Sequence, residues 1–131
     1  MRILITGGAG FIGSHLTELL LEKNFEVVVL DNFSTSIKYS QDWILLLLEK
    51  YGEQFEFYRQ DIRDLTPELF KRHGQYFGTE VIIHLAAMSR IQPSIKDPTE
   101  CHDINVTGTL NLLKMARDHS IKKFIFCNVS A

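Results

Sequence analysis

The amino-acid sequence predicts an α/β fold in which one parallel sheet is covered by helices on both faces. Strand-length apolar segments alternate with segments of helical periodicity along all 131 residues. The strand segments are apolar almost throughout, as in parallel strands buried on both faces. A glycine-rich segment joins the first strand to the first helix. Right-handed crossovers then favour a doubly wound sheet with strand order 3-2-1-4-5.

The elements follow one another in a regular order. Five strands are expected at residues 2–6, 26–31, 55–60, 81–85 and 123–127. Helices are expected at about 12–23, 41–51, 66–73 and 97–119. Thr66 and Asp97 each precede a proline, a combination typical of a helix start. Gly108 lies within the last helix at a cost of about 1 kcal/mol relative to alanine, so a close packing contact is expected there.

Composition excludes several classes of function. Lys and Arg number 14 against 16 Asp and Glu, so no broad basic field is available for nucleic acid or an anionic membrane. The longest apolar run, Trp43–Leu48, is too short to cross a bilayer and is expected to supply core contacts. Two cysteines, Cys101 and Cys127, form no disulfide framework and indicate a reduced, cytoplasmic setting. The five histidines lack metal-ligand spacing, so no metal site is expected.

The glycine-rich segment is the first candidate binding element. Gly7, Gly8, Gly10 and Gly13 combine the patterns G-x-G-x-x-G and G-x-x-G-x-x-G between a strand and a helix. Glycine lets the backbone approach a pyrophosphate, and the helix start presents N–H groups to it. No Gly-Lys-Ser/Thr follows, which disfavours a nucleoside-triphosphate loop. A tight turn without a ligand is the structural alternative.

Asp31 is the second candidate, because it ends the second strand eighteen residues after Gly13. A carboxylate at this place accepts hydrogen bonds from the adenosine ribose and repels a 2′-phosphate. The first cation that follows it is Lys38, so NAD is favoured over NADP. A solvated strand end is the structural alternative.

Six short motifs in order carry a family resemblance. They are Thr6–Gly13, Asp31–Ser34, Asp61–Asp64, His84–Ala87, Asp97–Pro98 and Asn105–Leu113. With these motifs the chain resembles the extended short-chain dehydrogenase/reductases, in particular the NAD-dependent nucleotide-sugar epimerases and dehydratases. The resemblance covers all 131 residues and implies a Rossmann-type NAD-binding domain, cut after the fifth strand, without the later strands and the substrate domain.

The resemblance implies a set of cofactor contacts. At the pyrophosphate and the adenosine ribose they are Gly7, Gly10, Phe11, Ile12, Gly13, Asp31, Asn32, Ser34, Thr35 and Ser36. At the adenine and beside the fourth strand they are Asp61, Ile62, Leu85, Ala86, Ala87, Ser89 and, as a structural amide on the nicotinamide side, Asn105. Asp61 has a polar loop as its alternative, and His84 is expected to be a packed strand-end residue.

The sequence also departs from the family pattern. Ser89 occupies a position where some epimerases have lysine. The position of the family's catalytic hydroxyl falls on Val129, and Ser130 could take that role only if the register shifts by one residue. The family's catalytic Tyr-x-x-x-Lys is missing, since none of Tyr39, Tyr51, Tyr58 and Tyr76 has lysine four residues later. No catalytic residue is therefore assigned, and the chain alone is expected to be inactive.

Three hypotheses on function remain open at this point. The resemblance favours the NAD-binding part of an enzyme that 4-epimerises UDP-glucose and UDP-galactose by transient hydride transfer, with the full-length enzyme a homodimer. A nucleotide-sugar 4,6-dehydratase or decarboxylase is the second. A non-catalytic NAD-binding module is the third, and the encoding reading frame would distinguish it by whether a Tyr-x-x-x-Lys follows.

Overall fold

The computed structural model describes residues 1–34, 41–88 and 90–127, and within them the predicted α/β fold is confirmed. The strands are β1 (Arg2–Thr6), β2 (Glu26–Asp31), β3 (Phe55–Arg59), β4 (Val81–His84) and β5 (Lys123–Phe126). The α-helices are α1 (Phe11–Glu22), α2 (Gln41–Tyr51), α3 (Ile91–Lys96), α4 (Pro98–His102) and α5 (Thr109–Asp118). No helix in these ranges has both the length and the hydropathy that a membrane span requires.

All four strand pairings are parallel, and the order is β3-β2-β1-β4-β5 as predicted. Thr6, the last residue of β1, pairs with Leu30 on one side and with His84 on the other. The chain winds outward from β1 in both directions. The switch point of the sheet therefore lies between the carboxyl ends of β1 and β4, where open α/β sheets bind ligands.

Alternate residues of β1, β2 and β4 enter two separate cores, one on each face of the sheet. Ile3, Ile5, Val27 and Val29 pack with α1 and α2. Leu4, Val28, Leu30 and Ile82 pack on the other face with α5 and the segment that follows β3. Because β1 and β2 are buried on both faces, their near-continuous apolar sequences are explained.

The helix predicted over 66–73 is wrong in extent, because only one 3₁₀ turn forms at Pro67–Phe70. Lys71 is already extended, and His73 adopts a positive φ of 72°. The chain turns back here so that Phe70 and Tyr76 enter the same core, with ring centroids 5.4 Å apart. Packing of the two aromatic rings thus outweighs the local helix signal.

The helix predicted over 97–119 is interrupted rather than regular. A π-helical segment, Asp103–Gly108, separates α4 from α5. A π turn inserts an extra residue and rotates the side chains that follow it. The short helix α3 was not predicted; its one helical signal is the i, i+4 pair Ile91 and Ile95, and in the structure none of its residues is buried.

Gly108 makes the close contact that its sequence position predicts. It is buried in the π-helical segment, and a Cβ built on it would lie 2.6 Å from Cδ1 and 2.9 Å from Cγ1 of Ile62. Ile62 itself is 3% exposed and follows the polar residue Asp61. The absence of a side chain at residue 108 therefore lets the segment after β3 pack against the π-helical segment.

This contact predicts a coupled effect of two substitutions. Gly108→Ala should lower the free energy of unfolding by about 1–3 kcal/mol, because Ile62 must move. In an Ile62→Ala background the same change should be neutral or stabilising, because alanine is the better helix former by about 1 kcal/mol. Urea unfolding of the four chains measures the cycle. An equal cost in both backgrounds would show that the Ile62 contact is not the reason for the glycine.

Candidate cofactor site

The glycine loop between β1 and α1 lies directly on the ends of the neighbouring strands. Gly7 has a φ of 71°, and its N–H donates to the Leu30 carbonyl at 2.9 Å. A Cβ built on Gly7 would lie 2.8 Å from the backbone nitrogen of Ala86, and one on Gly13 would lie 2.4 Å from the Gly7 carbonyl oxygen. A side chain at Gly7 would push the loop away from the segment after β4, and one at Gly13 would push α1 away from the loop, so glycine is required at both positions.

The start of α1 presents unsatisfied backbone donors near the carboxyl ends of the strands. Gly10 is the N-cap and supplies no side-chain cap, and the first turn holds no acidic residue. Phe11 and Ile12, the first two helical residues, are 70% and 64% exposed. The first N–H groups of a helix have no intrahelical acceptor and carry its partial positive charge. This end of α1 is therefore chemically suited to an anion such as a pyrophosphate.

Asp31 links the end of β2 to the glycine loop. One carboxylate oxygen accepts from Ala9 N at 3.0 Å, and the other accepts from Phe33 N at 2.8 Å. Its residue is only 7% exposed, so the alternative of a solvated strand end is wrong. Burial raises the pKa of this carboxyl, although the two backbone hydrogen bonds lower it. Each oxygen retains acceptor capacity, which suits the hydroxyl groups of a ribose.

The loop after β2 is held by Asn32. Its Oδ1 accepts from Ser34 N at 3.0 Å, and its Nδ2 donates to Asp61 at 3.1 Å. The two polar segments after β2 and β3 are thereby joined. Of the residues predicted here, Thr35 and Ser36 lie outside the described residues, as does Ser89 after β4.

Asp61 is engaged more completely than the sequence suggested. It caps the 3₁₀ turn Ile62–Asp64, accepting from Arg63 N at 2.9 Å. The Arg63 guanidinium adds bonds of 3.0 Å and 2.7 Å, and the Asn32 amide brings the total to four. The Arg63 side chain is the main cause that lowers the pKa of Asp61 to about 2. Any further donor must replace one of these four, since a carboxylate has about four acceptor positions.

Backbone contacts bring the segment after β4 against the glycine loop. Leu85 N donates to the Thr6 carbonyl at 3.0 Å, and Ala86 N donates to the Thr6 hydroxyl at 3.2 Å. Ala87 is exposed at the surface of this segment. Ala86 and Ala87 carry only a methyl group each, so little side chain covers the backbone of this segment.

Asn105 has the structural contacts that a positioning amide needs. Its Oδ1 accepts from Met88 N at 2.8 Å, and its Nδ2 donates to the Met88 carbonyl at 2.9 Å. Thr6 and Thr109 complete this region and were not singled out from the sequence. Thr6 could have been noticed as the one hydroxyl in an apolar strand, and Thr109 as the residue one turn after Asn105.

The sheet topology, the glycine loop and the carboxylate at the end of β2 define a Rossmann-type α/β domain. The family model described as GDP-mannose 4,6 dehydratase matches residues 4–131, and the chain belongs to this family. The resemblance to nucleotide-sugar epimerases and dehydratases is thereby confirmed.

Several individual proteins similar to this chain are named as UDP-glucose 4-epimerases. A UDP-glucose 4-epimerase of Klebsiella pneumoniae is 38% identical over 129 residues, which cover 96% of this chain and 87% of the relative. A UDP-glucose 4-epimerase of Halalkalibacterium halodurans is 38% identical over 133 residues, which cover 100% of this chain and 35% of the relative. The crystal structure of UDP-glucose 4-epimerase from Bifidobacterium longum in complex with NAD+ and UDP has a TM-score of 0.83 and 32% identity. That match covers 99% of this chain and 37% of the other, so this chain spans just over a third of the longer relatives.

The Asp61–Arg63 pair predicts a pH effect. The depressed pKa means that ionised Asp61 stabilises the fold above the ordinary carboxyl pKa of about 4, and this contribution is lost as the pH falls through about 2. Arg63→Met should raise the pKa of Asp61 toward its usual range and move acid unfolding to higher pH. Carboxyl ¹³C NMR measures the titration.

The exposed pair Arg117 and Asp118 offers a matched control. Arg117→Met removes an equivalent guanidinium–carboxylate pair and should leave the titration of Asp61 unchanged. A midpoint for Asp61 that does not move in the Arg63 variant would contradict the assignment of Arg63 as the cause.

Proposed function

We propose that this chain binds NAD and forms the NAD-binding domain, residues 1–131, of a nucleotide-sugar 4-epimerase. The observation that carries the proposal is the buried Asp31 carboxylate, which is hydrogen-bonded to the glycine loop at the end of β2. An acid in this position distinguishes dinucleotide sites from other glycine-rich turns. The names of the relatives and the NAD+ in the Bifidobacterium longum structure support the choice of cofactor and reaction.

The residues present fit a dinucleotide. Gly7, Gly8 and Gly10 carry no side chains and the methyl group of Ala9 is buried, so a pyrophosphate can approach the backbone of the loop. Gly7, Gly10 and Gly13 would shape this cradle, while Phe11 and Ile12 would donate backbone N–H groups. When bound, NAD would supply a hydride acceptor for a sugar carbon.

The remaining parts of the cofactor would contact the other strand ends. Asp31 and Asn32 would bind the adenosine ribose, together with Ser34, Thr35 and Ser36 of the loop. Asp61 and Ile62 would face the adenine, and because Asp61 already accepts four hydrogen bonds, Asn32 or Arg63 would have to yield to an adenine amino group. On the other side of the switch point, Leu85, Ala86, Ala87 and Ser89 would border the cofactor, with Asn105 holding that segment in place.

Substrate and assembly are proposed from the family. The whole enzyme would take a nucleotide sugar, with a UDP-sugar as the first choice, act as a homodimer and work in the cytoplasm. The four tyrosines of this chain lack a lysine four residues later, so this chain would contribute cofactor binding and no proton transfer. A 4,6-dehydratase is the second candidate, because the matching family model has that description.

Replacement of Asp31 tests the proposed cofactor site. The wild-type chain should bind NAD more tightly than NADP, because the carboxylate accepts from ribose hydroxyls and repels a 2′-phosphate. Asp31→Asn should weaken NAD binding by about tenfold and reduce the preference, since the amide is uncharged and has one acceptor oxygen fewer. Calorimetric titration with both nucleotides measures the two ratios.

Asp42→Asn is the matched control, because Asp42 is exposed on α2 and distant in sequence from the glycine loop. This variant should bind both nucleotides as the wild type does. Equal affinity of the wild type for NAD and NADP, or an unchanged preference in Asp31→Asn, would refute the role given to Asp31.

A further inference from the structure

His84 is a buried polar side chain that the proposed cofactor contacts leave unused. It is the last residue of β4, is 1% exposed and pairs with Thr6 of β1 in the sheet. Its ring lies against Phe124 and Phe126 of β5, with centroids 6.1 Å and 5.6 Å away. Both of its nitrogens nevertheless have hydrogen-bond partners, which a residue that only fills space does not need.

The Thr6 hydroxyl determines what one ring nitrogen does. Its oxygen accepts from Leu85 N at 3.1 Å, a donor shared with the Thr6 carbonyl, and from Ala86 N at 3.2 Å. A hydroxyl has two acceptor positions and one proton. With both positions taken, its proton is directed to Nδ1 of His84, 2.6 Å away. Nδ1 is therefore an acceptor.

The Thr109 hydroxyl leads independently to the same assignment. It donates its proton to the Asn105 carbonyl at 2.7 Å, so it can only accept from the ring. Nε2 of His84 lies 2.9 Å from it and must carry the hydrogen. Both ends of the ring thus require the neutral tautomer with the proton on Nε2.

These bonds form one directed chain across the switch point. It runs from the amides of Leu85 and Ala86 through Thr6, His84 and Thr109 to the Asn105 carbonyl. The Asn105 side chain then returns to both backbone polar groups of Met88. The segment 85–88 is consequently held at its start by Thr6 and at its end by Asn105, and His84 connects the two.

We propose that His84 is a positioning residue for the cofactor site, which as the neutral Nε2–H tautomer fixes segment 85–88 against the glycine loop and thereby sets the affinity for NAD. This inference rests on the proposed function. A proton added at Nδ1 would turn that nitrogen into a donor facing Thr6. The Thr6 oxygen would then have to release the Leu85 or Ala86 amide, and the segment would lose its anchor.

The surroundings of the ring favour the neutral form. Among the described residues, the side chains that hydrogen-bond to the ring or pack on it are uncharged: Thr6 on β1, Thr109 on α5, and Phe124 and Phe126 on β5. Burial lowers the pKa of His84 to about 4. The ring therefore stays neutral across the physiological range, and the chain of hydrogen bonds keeps its direction.

Two variants separate positioning from simple packing. His84→Phe keeps a ring of similar shape and removes both nitrogens, so the Thr6 and Thr109 hydroxyls each lose their hydrogen bond to residue 84. We expect about a tenfold weaker NAD affinity by calorimetric titration. His84→Asn restores an acceptor near the position of Nδ1 and should recover part of that affinity. His102→Phe is the matched control, because His102 is exposed, and it should leave the affinity unchanged.

Imidazole ¹⁵N NMR of the wild-type chain tests the tautomer without any substitution. We expect Nε2 protonated and Nδ1 unprotonated for His84, with no titration between pH 7 and pH 5.5. A proton on Nδ1, or titration near the ordinary histidine pKa of about 6.5, would overturn the inference. If His84→Phe does not fold, the NMR result and the asparagine variant decide.

The outcomes distinguish this inference from the proposed function. A wild-type chain that does not bind NAD overturns the proposed function and the inference with it. A wild-type chain that binds NAD, together with a folded His84→Phe variant of unchanged affinity, overturns the inference alone.

Discussion

The close packing of the glycine loop on the strand ends is the constraint on which the rest of the site depends. Gly7 touches the backbone at Ala86, Gly8 lies against Val29, and Gly13 lies against the loop itself. Because Gly7, Gly8 and Gly13 have no side chains, the start of α1 lies close to the carboxyl ends of the strands, and its N–H groups are close to the switch point. The polar residues at the strand ends then only have to hold this arrangement in place.

Asp31 at the end of β2 and Asp61 after β3 carry the same chemical group but differ in their surroundings and therefore in their roles. Asp31 is buried and its pKa is raised, and within the described part of the chain it accepts from two backbone donors, so it keeps acceptor capacity for a ligand. Asp61 is paired with a guanidinium and its pKa is lowered. Its four hydrogen bonds make it first a capping residue that orders the segment after β3. A ligand bound at Asp61 would therefore compete with local structure, whereas one bound at Asp31 would use acceptor positions that the described residues leave open.

The parts of the fold that depend on local patterns could be predicted from the sequence. The buried strands, the parallel order and the need for a close contact at Gly108 follow from apolar runs, crossover handedness and helix propensity. The extent of the 66–73 segment could not be predicted, because Phe70 and Tyr76 meet only in the folded core. The π-helical segment could not be predicted for a similar reason. Asn105 bonds to Met88 and Gly108 packs against Ile62, and both partners are distant in sequence from this segment. Thr6 and Thr109 are joined through His84, and no spacing rule links His84 to both.

A titration of the ¹⁵N-labelled chain with NAD, followed by amide NMR, tests the proposed cofactor site most directly. NAD bound at the proposed site should perturb amides that cluster at residues 10–13, 31–33, 61–62 and 85–88, close to the carboxyl ends of the strands. Amides at the amino ends of the strands, such as those of Glu26, Val81 and Lys123, should show no change in chemical shift. Perturbations confined to the amino ends of the strands or to the surface of α2, or none at saturating NAD, would contradict the proposed site.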